Sequence, residues 1–125
     1  MKCCIFGAAS PLIDQKYIEK TEDLGRFLAK NGHSLVFGAG ANGLMGAAAR
    51  GFSEEKGEIV GVIPHFFRDE NIEEIFEDCT EIVYTETMQE RKFTMEELAD
   101  CFIIVPGGIG TFEVFFEVLT LKQLG

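Results

Sequence analysis

Short apolar runs alternate with longer stretches of helical periodicity along the chain. The apolar runs predict five strands, at Lys2–Phe6, Ser34–Phe37, Ile59–Ile63, Ile82–Thr85 and Phe102–Val105. Apolar residues at helical spacing predict helices at Asp14–Asn31, Met45–Lys56 and Met88–Ala99, and a last helix from about Gly110 to Leu124. The acidic and less regular stretch His65–Cys79 is predicted as a loop with one short helix.

This order of elements predicts an α/β fold. Strands that are apolar throughout are typical of parallel sheets that helices cover on both faces. With right-handed crossovers, the chain is expected to form a Rossmann-like doubly wound parallel sheet. The 125 residues fit a single domain. Because the sequence stops directly after a predicted helix, one edge of the sheet is expected to be bare.

The charge of the chain narrows the choice of partners. A formal charge of −10 at pH 7 disfavours nucleic acid and anionic membrane surfaces, because both require a basic face. A small phosphate ligand stays open, since backbone N–H groups and one arginine can bind phosphate on an acidic protein. No apolar run is long enough to span a bilayer, and Met1–Gly7 is too short for a signal peptide. A cytoplasmic location is therefore expected.

The cysteines and histidines suggest no metal chemistry. Cys3, Cys4, Cys79 and Cys101 form no CxxC motif, and they are expected to be buried or half-buried free thiols in a reducing compartment. His33 and His65 have no ligand-like partners near them in the sequence. We therefore expect neither a metal site nor a cofactor.

The first glycine-rich segment follows the second predicted strand and opens a helix. Gly38–Gly46 contains the pattern GxGxxG, which includes Gly40 and Gly43 and occurs in dinucleotide-binding loops. That fingerprint also requires an acidic residue at the end of the next strand, where this chain has Ile63-Pro64-His65. NAD binding is therefore disfavoured, and two other interpretations stay open: a contact with another nucleotide, and glycines required only for tight packing of the helix.

The second glycine-rich segment follows the fifth predicted strand. In Pro106–Thr111, the glycines allow a ligand to approach the backbone, and the following helix offers free N–H groups at its positive end. The threonine can cap the helix or bind a phosphate oxygen. A phosphate-binding turn is the favoured interpretation, and a tight turn with a threonine cap is the alternative.

Five segments of the chain together match the motifs of one family. They are Ile5–Ser10, Gly43-Leu44-Met45-Gly46, Met88-Gln89-Glu90-Arg91-Lys92 with Met95, the PGGxGT motif at Pro106–Thr111, and Thr120–Gly125, which has Leu121 where the family has tryptophan. The chain thus resembles the LONELY GUY (LOG) family of cytokinin riboside 5′-monophosphate phosphoribohydrolases, once labelled lysine-decarboxylase-like. The resemblance implies hydrolysis of a nucleoside 5′-monophosphate such as AMP to the free base and ribose 5-phosphate. It also implies a homodimer or larger homo-oligomer.

The resemblance assigns roles to particular residues. Arg91 corresponds to the catalytic arginine, and Lys92 is its neighbour in the substrate site. Glu70 corresponds to an acidic substrate contact, and Thr120 to a further one. The remaining substrate-binding positions lie in the two glycine loops, and they are Gly40, Gly43, Gly107, Gly108, Ile109, Gly110 and Thr111.

The chain departs from the family motif PGGxGTxxE at its last position. Val114 occupies the position of the catalytic glutamate, with Glu113 directly before it and Glu117 three residues later. Glu113 is rotated by about 100° around the helix, and Glu117 lies one turn farther from the phosphate. The alternative function is therefore a nucleotide-binding or sensor protein with impaired catalysis. Family chains also usually continue with a further strand and helix, so this chain is expected to be a fragment or a short form.

Overall fold

The computed structural model describes residues 1–7, 15–70 and 74–105. The strands are β1 (Lys2–Phe6), β2 (Ser34–Phe37), β3 (Ile59–Pro64), β4 (Glu81–Thr85) and β5 (Cys101–Ile104). The helices are α1 (Gln15–Lys30), α2 (Gly43–Glu54), α3 (His65–Asp69) and α4 (Met88–Leu98). The five strands and the short helix after β3 confirm the prediction from the hydrophobic pattern, with ends displaced by one or two residues. The helix predicted from Gly110 lies outside the described residues.

The strands form one parallel sheet in the order β4-β3-β2-β1-β5. The chain therefore winds outward from β1 to β4 and then returns to place β5 on the other side of β1. This reversal confirms the doubly wound, Rossmann-like topology. In sheets of this kind, ligands bind beyond the carboxyl ends of the strands, near the point where the winding reverses.

One face of the sheet is covered by α1 and α2. Their core includes Leu28, Phe52 and the strand residues Leu35 and Phe37, all of them buried. The two helices pack so closely that a side chain at Gly25 would overlap the carbonyl group of Ala48. This close contact explains why the amphipathic pattern of both helices is interrupted by glycine.

The opposite face is covered by α4. Its apolar cluster consists of Met95 of the helix and buried residues of the strands, namely Cys4, Phe6, Val36, Val60 and Val62. Half-buried side chains at the end of the helix, including Leu98 and Ala99, pack against this cluster. The α4 face thus has a smaller core than the face covered by α1 and α2.

Residues 74–80 connect α3 to β4 and pack against the first glycine loop. Ala41 N–H donates to the Glu74 carbonyl at 2.9 Å, and Phe76 N–H donates to the Ala39 carbonyl at 2.8 Å. The Phe76 ring also meets Phe37 edge-on, with the ring centroids 6.2 Å apart. Residues 74–76 therefore form a short antiparallel contact with the loop that follows β2.

Candidate functional site

The start of α4 is determined by a local cap. Thr87 is the N-cap residue, and its side chain accepts a hydrogen bond from Glu90 N–H at 3.0 Å. The Glu90 carboxylate in turn accepts from Glu86 N–H at 3.2 Å. This exchange resembles a capping box and fixes the first turn of the helix. Arg91 closes that turn, with its backbone N–H donating to the Thr87 carbonyl.

The Arg91 side chain extends to the carboxyl edge of the sheet. Its Nε donates to the Val62 carbonyl of β3 at 2.9 Å, and its Nη2 donates to the carbonyl of Gly38, directly after β2. The guanidinium carbon lies 5.1 Å from the centroid of the Phe67 ring, a cation–π distance. The guanidinium is thus on the carboxyl side of the sheet, where α/β sheets bind ligands.

The glycines of the first loop meet different packing requirements. At Gly38 a Cβ atom would lie 2.9 Å from the Arg91 guanidinium carbon, so a side chain there would displace the arginine. Gly43 has a φ of +66°, which favours glycine, and a Cβ at Gly46 would overlap the Ala41 carbonyl. Gly40 pairs with Ile75 in an isolated antiparallel bridge. Packing and backbone conformation thus account for Gly38 and Gly43 of the GxGxxG pattern and for Gly46 after it, and ligand contacts by Gly40 and Gly43 stay predictions.

A cluster of aromatic and basic side chains borders Arg91 on the side of β4. The His65 ring stacks on Tyr84 with centroids 4.9 Å apart, and Arg68 donates to the Tyr84 hydroxyl at 3.1 Å. The rings of Phe66 and Phe67 meet edge-on at 5.1 Å. These contacts attach α3 to β4 and place Phe67 against the arginine. The sequence argument missed both Phe67 and the role of Gly38, because neither contact has a signature in local sequence.

The other predicted site residues are only partly within the described structure. Glu70 is exposed and caps the end of α3, and Lys92 is half-buried on α4 beside Arg91. The second glycine loop and the catalytic helix positions lie outside the described residues, namely Gly107, Gly108, Ile109, Gly110, Thr111, Glu113, Val114, Glu117 and Thr120. Their assignment to one site with Arg91 therefore stays a prediction.

A cleft of about 430 Å³ opens elsewhere, between α2 and residues 74–78. Its lining includes Arg50 but also four carboxylates, at Glu54, Glu74, Glu77 and Asp78. Arg50 lies 3.5 Å from a Glu22 carboxylate oxygen, so its charge is already partly balanced. The acidic lining makes this cleft a poor site for a phosphate, and we place the candidate site at Arg91 instead.

Comparison with known sequences identifies relatives over nearly the whole chain. A family model described as "Possible lysine decarboxylase" matches residues 45–125. A cytokinin riboside 5′-monophosphate phosphoribohydrolase of Rhodococcoides fascians is 41% identical over 97% of this chain and 61% of its own length. The enzyme of the same name from Mycobacterium tuberculosis is 36% identical over 97% of this chain and 63% of its own. The chain thus spans less than two thirds of the length of these curated relatives.

Comparison with solved structures identifies proteins that share the fold of this chain. The structural-genomics target TM1055 has a TM-score of 0.81 at 26% identity, covering 96% of this chain and 69% of its own. The molybdenum cofactor carrier protein of Chlamydomonas reinhardtii has a TM-score of 0.83 at 21% identity, covering 97% and 71%. At that lower identity, the likeness to the carrier protein establishes the fold alone.

Proposed function

The chain belongs to the LONELY GUY (LOG) family, and we propose that it hydrolyses the N-glycosidic bond of nucleoside 5′-monophosphates such as AMP or a cytokinin riboside 5′-monophosphate. The observation that supports the proposal is the position of Arg91, which the carbonyls of Val62 in β3 and of Gly38 directly after β2 hold on the carboxyl side of the sheet. The family motif that contains this arginine is present without change. The curated relatives, which carry this activity in their names, support the same reaction.

The proposed reaction requires charge balance around a reacting ribose. The water oxygen forms a new bond to C1′ while the bond from C1′ to the base nitrogen breaks. One proton of the water ends on that nitrogen, and the products are the free base and ribose 5-phosphate. The transition state has oxocarbenium character on the sugar, which a carboxylate stabilises. In this proposal Arg91 and Lys92 neutralise charge on the phosphate or the departing base, and Gly107–Thr111 bind the phosphate through backbone N–H groups.

Val114 makes the activity of this chain the point to test. Valine cannot stabilise the developing sugar cation, so substrate binding should survive better than turnover. We expect the unmodified chain to bind AMP but to release adenine slowly, and Val114→Glu to raise that rate at least about 10²-fold. Chromatographic detection of adenine and ribose 5-phosphate measures the rate, and calorimetry measures the binding of AMP.

Two matched variants locate the reaction. Arg91→Ala in the Val114→Glu background should remove turnover, whereas Gly110→Val should remove the binding of AMP because its side chain fills the phosphate position. If neither the unmodified chain nor Val114→Glu releases adenine while both bind AMP, the alternative function, nucleotide binding without turnover, replaces the proposal. If neither binds AMP, both functions are wrong.

We further propose a homodimer in a reducing cytoplasm. Apolar side chains on α4 support the dimer, because Met88 and Phe93 are 42% and 60% exposed. The four free cysteines support the compartment. Sedimentation equilibrium should give twice the chain mass, and Phe93→Asp should lower it while Gln89→Asp on the same helix should not. A monomeric unmodified chain would contradict the dimer.

Of the described helices, none combines the length and the apolar character that a membrane crossing needs.

A further inference from the structure

Three contacts orient the Arg91 guanidinium against the sheet and α3, beside a long contact of its Nη1 with the Met88 Sδ at 3.9 Å. The Val62 carbonyl of β3 accepts a hydrogen bond from Nε, and the Gly38 carbonyl, directly after β2, accepts one from Nη2, so two neighbouring strands contact the same group. The Phe67 ring, with its centroid 5.1 Å from the guanidinium carbon, makes a cation–π contact with the same group. The two hydrogen bonds position the group along the sheet edge, and an aromatic ring restricts its tilt and shields it from water.

The core of the protein does not explain the size of the Phe67 side chain. None of the residues of α3 is buried, and Phe67 is half-buried beside a charged group. The helix is attached to β4 without it, through the stacking of His65 on Tyr84 and the hydrogen bond from Arg68 to the Tyr84 hydroxyl. Removal of the Phe67 ring should therefore change the surroundings of Arg91 without detaching α3.

We propose that Phe67 is a positioning residue for Arg91 in the reaction at the carboxyl edge of the sheet. The inference rests on the proposed function for its catalytic consequence, but its structural content is independent of that function. An arginine that stabilises charge in the transition state must be held in place before the reaction, since reorientation during the reaction reduces its effect. Loss of the ring should consequently lower kcat more than it changes KM.

The enzymatic test compares Phe67→Leu with two matched variants. Phe67→Tyr keeps an aromatic ring over the guanidinium, and Phe66→Leu removes the neighbouring ring, which contacts Phe67 edge-on. With AMP as substrate and in the Val114→Glu background, Phe67→Leu should lower kcat by roughly 3- to 30-fold with little change in KM. Phe67→Tyr and Phe66→Leu should keep most of the rate. Equal losses of kcat in Phe67→Leu and Phe66→Leu would overturn the inference.

A spectroscopic test separates this inference from the proposed function. The Arg91 Nε–H group should give a guanidinium signal in nitrogen–proton correlation spectra, and the loss of that signal in Arg91→Lys assigns it. Because the proton is bonded to the Val62 carbonyl and lies near an aromatic ring, the signal should be displaced and should exchange slowly with solvent. Phe67→Leu should shift it and accelerate its exchange, whereas Phe66→Leu should leave it largely in place.

The two readouts fail in different ways. If no form of the protein hydrolyses AMP, the proposed function is wrong, and the signal of Arg91 alone decides whether Phe67 positions the arginine. If Phe67→Leu leaves the shift and the exchange rate of that signal unchanged, the inference is wrong even in an active enzyme. A thermal unfolding curve of each variant confirms that the comparison is made between folded proteins.

Discussion

The two faces of the sheet are covered in different ways. On one face, α1 and α2 lie so close together that Gly25 and Gly51 face the backbone of the opposite helix. On the other face, Met95 is the one buried residue of α4 in the part of the chain that the structure describes. Exposed ion pairs surround the first contact. Arg26 donates to Glu22 and Glu54, at 3.0 and 2.8 Å. Its hydrogen bonds to the carboxylates, to Glu54 first and then to Asp23 and Glu22, raise the pKa of its guanidinium. Such exposed pairs contribute little stability, so the close backbone approach is the main feature of this face.

The difference shows that the helix with the candidate catalytic residue is not the helix that carries most of the core. The position of α4 depends on its Thr87 cap and on the contacts of Arg91 with the ends of β2 and β3. Regions with few buried apolar contacts open more readily than the core. Substitutions should therefore affect stability most on the α1–α2 face and activity most on the α4 face, and the following experiments test that division.

The largest loss of stability should follow Gly25→Val. Its side chain would overlap the Ala48 carbonyl, and backbone atoms of a packed helix cannot move aside without separating α1 from α2. We expect failure to fold, because a clash with helix backbone exceeds the usual cost of overpacking, about 1–3 kcal/mol. Urea unfolding followed by circular dichroism measures it, with Lys20→Val, an exposed position on the same helix, as the control for helix propensity. Equal midpoints for both variants would show that the helices separate easily.

Truncation of one core residue on each face should rank the two faces. Phe52 of α2 is fully buried, and Phe52→Ala should cost about 3–5 kcal/mol. Met95 of α4 is 5% exposed in a smaller cluster, and Met95→Ala should cost about 2 kcal/mol, at the lower end for such a truncation. Urea midpoints at equal m-values give both numbers. A larger cost for Met95→Ala than for Phe52→Ala would reverse the comparison of the faces.

A smaller effect is expected for Gly38→Ala, and it should depend on Arg91. The φ of Gly38 is not in the left-handed region, and the nearest atoms to an added Cβ belong to the guanidinium of Arg91. We expect a loss of about 1–2 kcal/mol from displacement of the arginine. In an Arg91→Ala background the same substitution should be nearly neutral, so the double-mutant cycle should be strongly non-additive. Additive costs would mean that Gly38 is required for another reason.

The smallest effect near neutral pH is expected for the two adjacent thiols of β1, because they influence stability only in alkaline solution. Burial raises the pKa of Cys3 to about 11 from its ordinary value of 9.0, with a hydrogen bond from Cys101 at 3.2 Å as the next cause. Burial on the α4 face raises the pKa of Cys4 farther still. The folded state favours the neutral form of both thiols. Their contribution to the free energy of unfolding is therefore complete below pH 9, and it is lost as the pH rises toward 11.

Thiol alkylation measures directly how far burial suppresses the reactivity of Cys3 and Cys4. With iodoacetamide at pH 8, Cys3 and Cys4 should react far more slowly than the same thiols in urea, and the rate at Cys3 should rise roughly tenfold per pH unit up to its pKa. Peptide mass spectrometry resolves the two sites, and Cys4 should be the slower of the pair. Rapid modification of Cys4 in the folded protein at pH 8 would mean that the α4 face opens readily.

Local sequence determined most of the secondary structure and the class of the fold. Uninterrupted apolar runs indicated the parallel strands. The Thr87–Glu90 cap makes α4 begin at Met88, which puts Arg91 at the end of the first turn of the helix. These features depend on side-chain period and on hydrogen bonds between residues three or four apart, which a sequence states directly. The family motifs likewise could be read without coordinates, and the sequence comparisons confirmed the family that they indicated.

Tertiary structure decided what surrounds Arg91. The arginine meets the carbonyl of Gly38, far away in the chain, because the order β4-β3-β2-β1-β5 brings the ends of β2 and β3 together beneath α4. The same order places Phe67 over the guanidinium and lets residues 74–76 hold the loop that the GxGxxG pattern only suggested as a ligand site. Such contacts join elements whose separation in sequence has no period, so only the packing of the sheet and its crossovers could specify them.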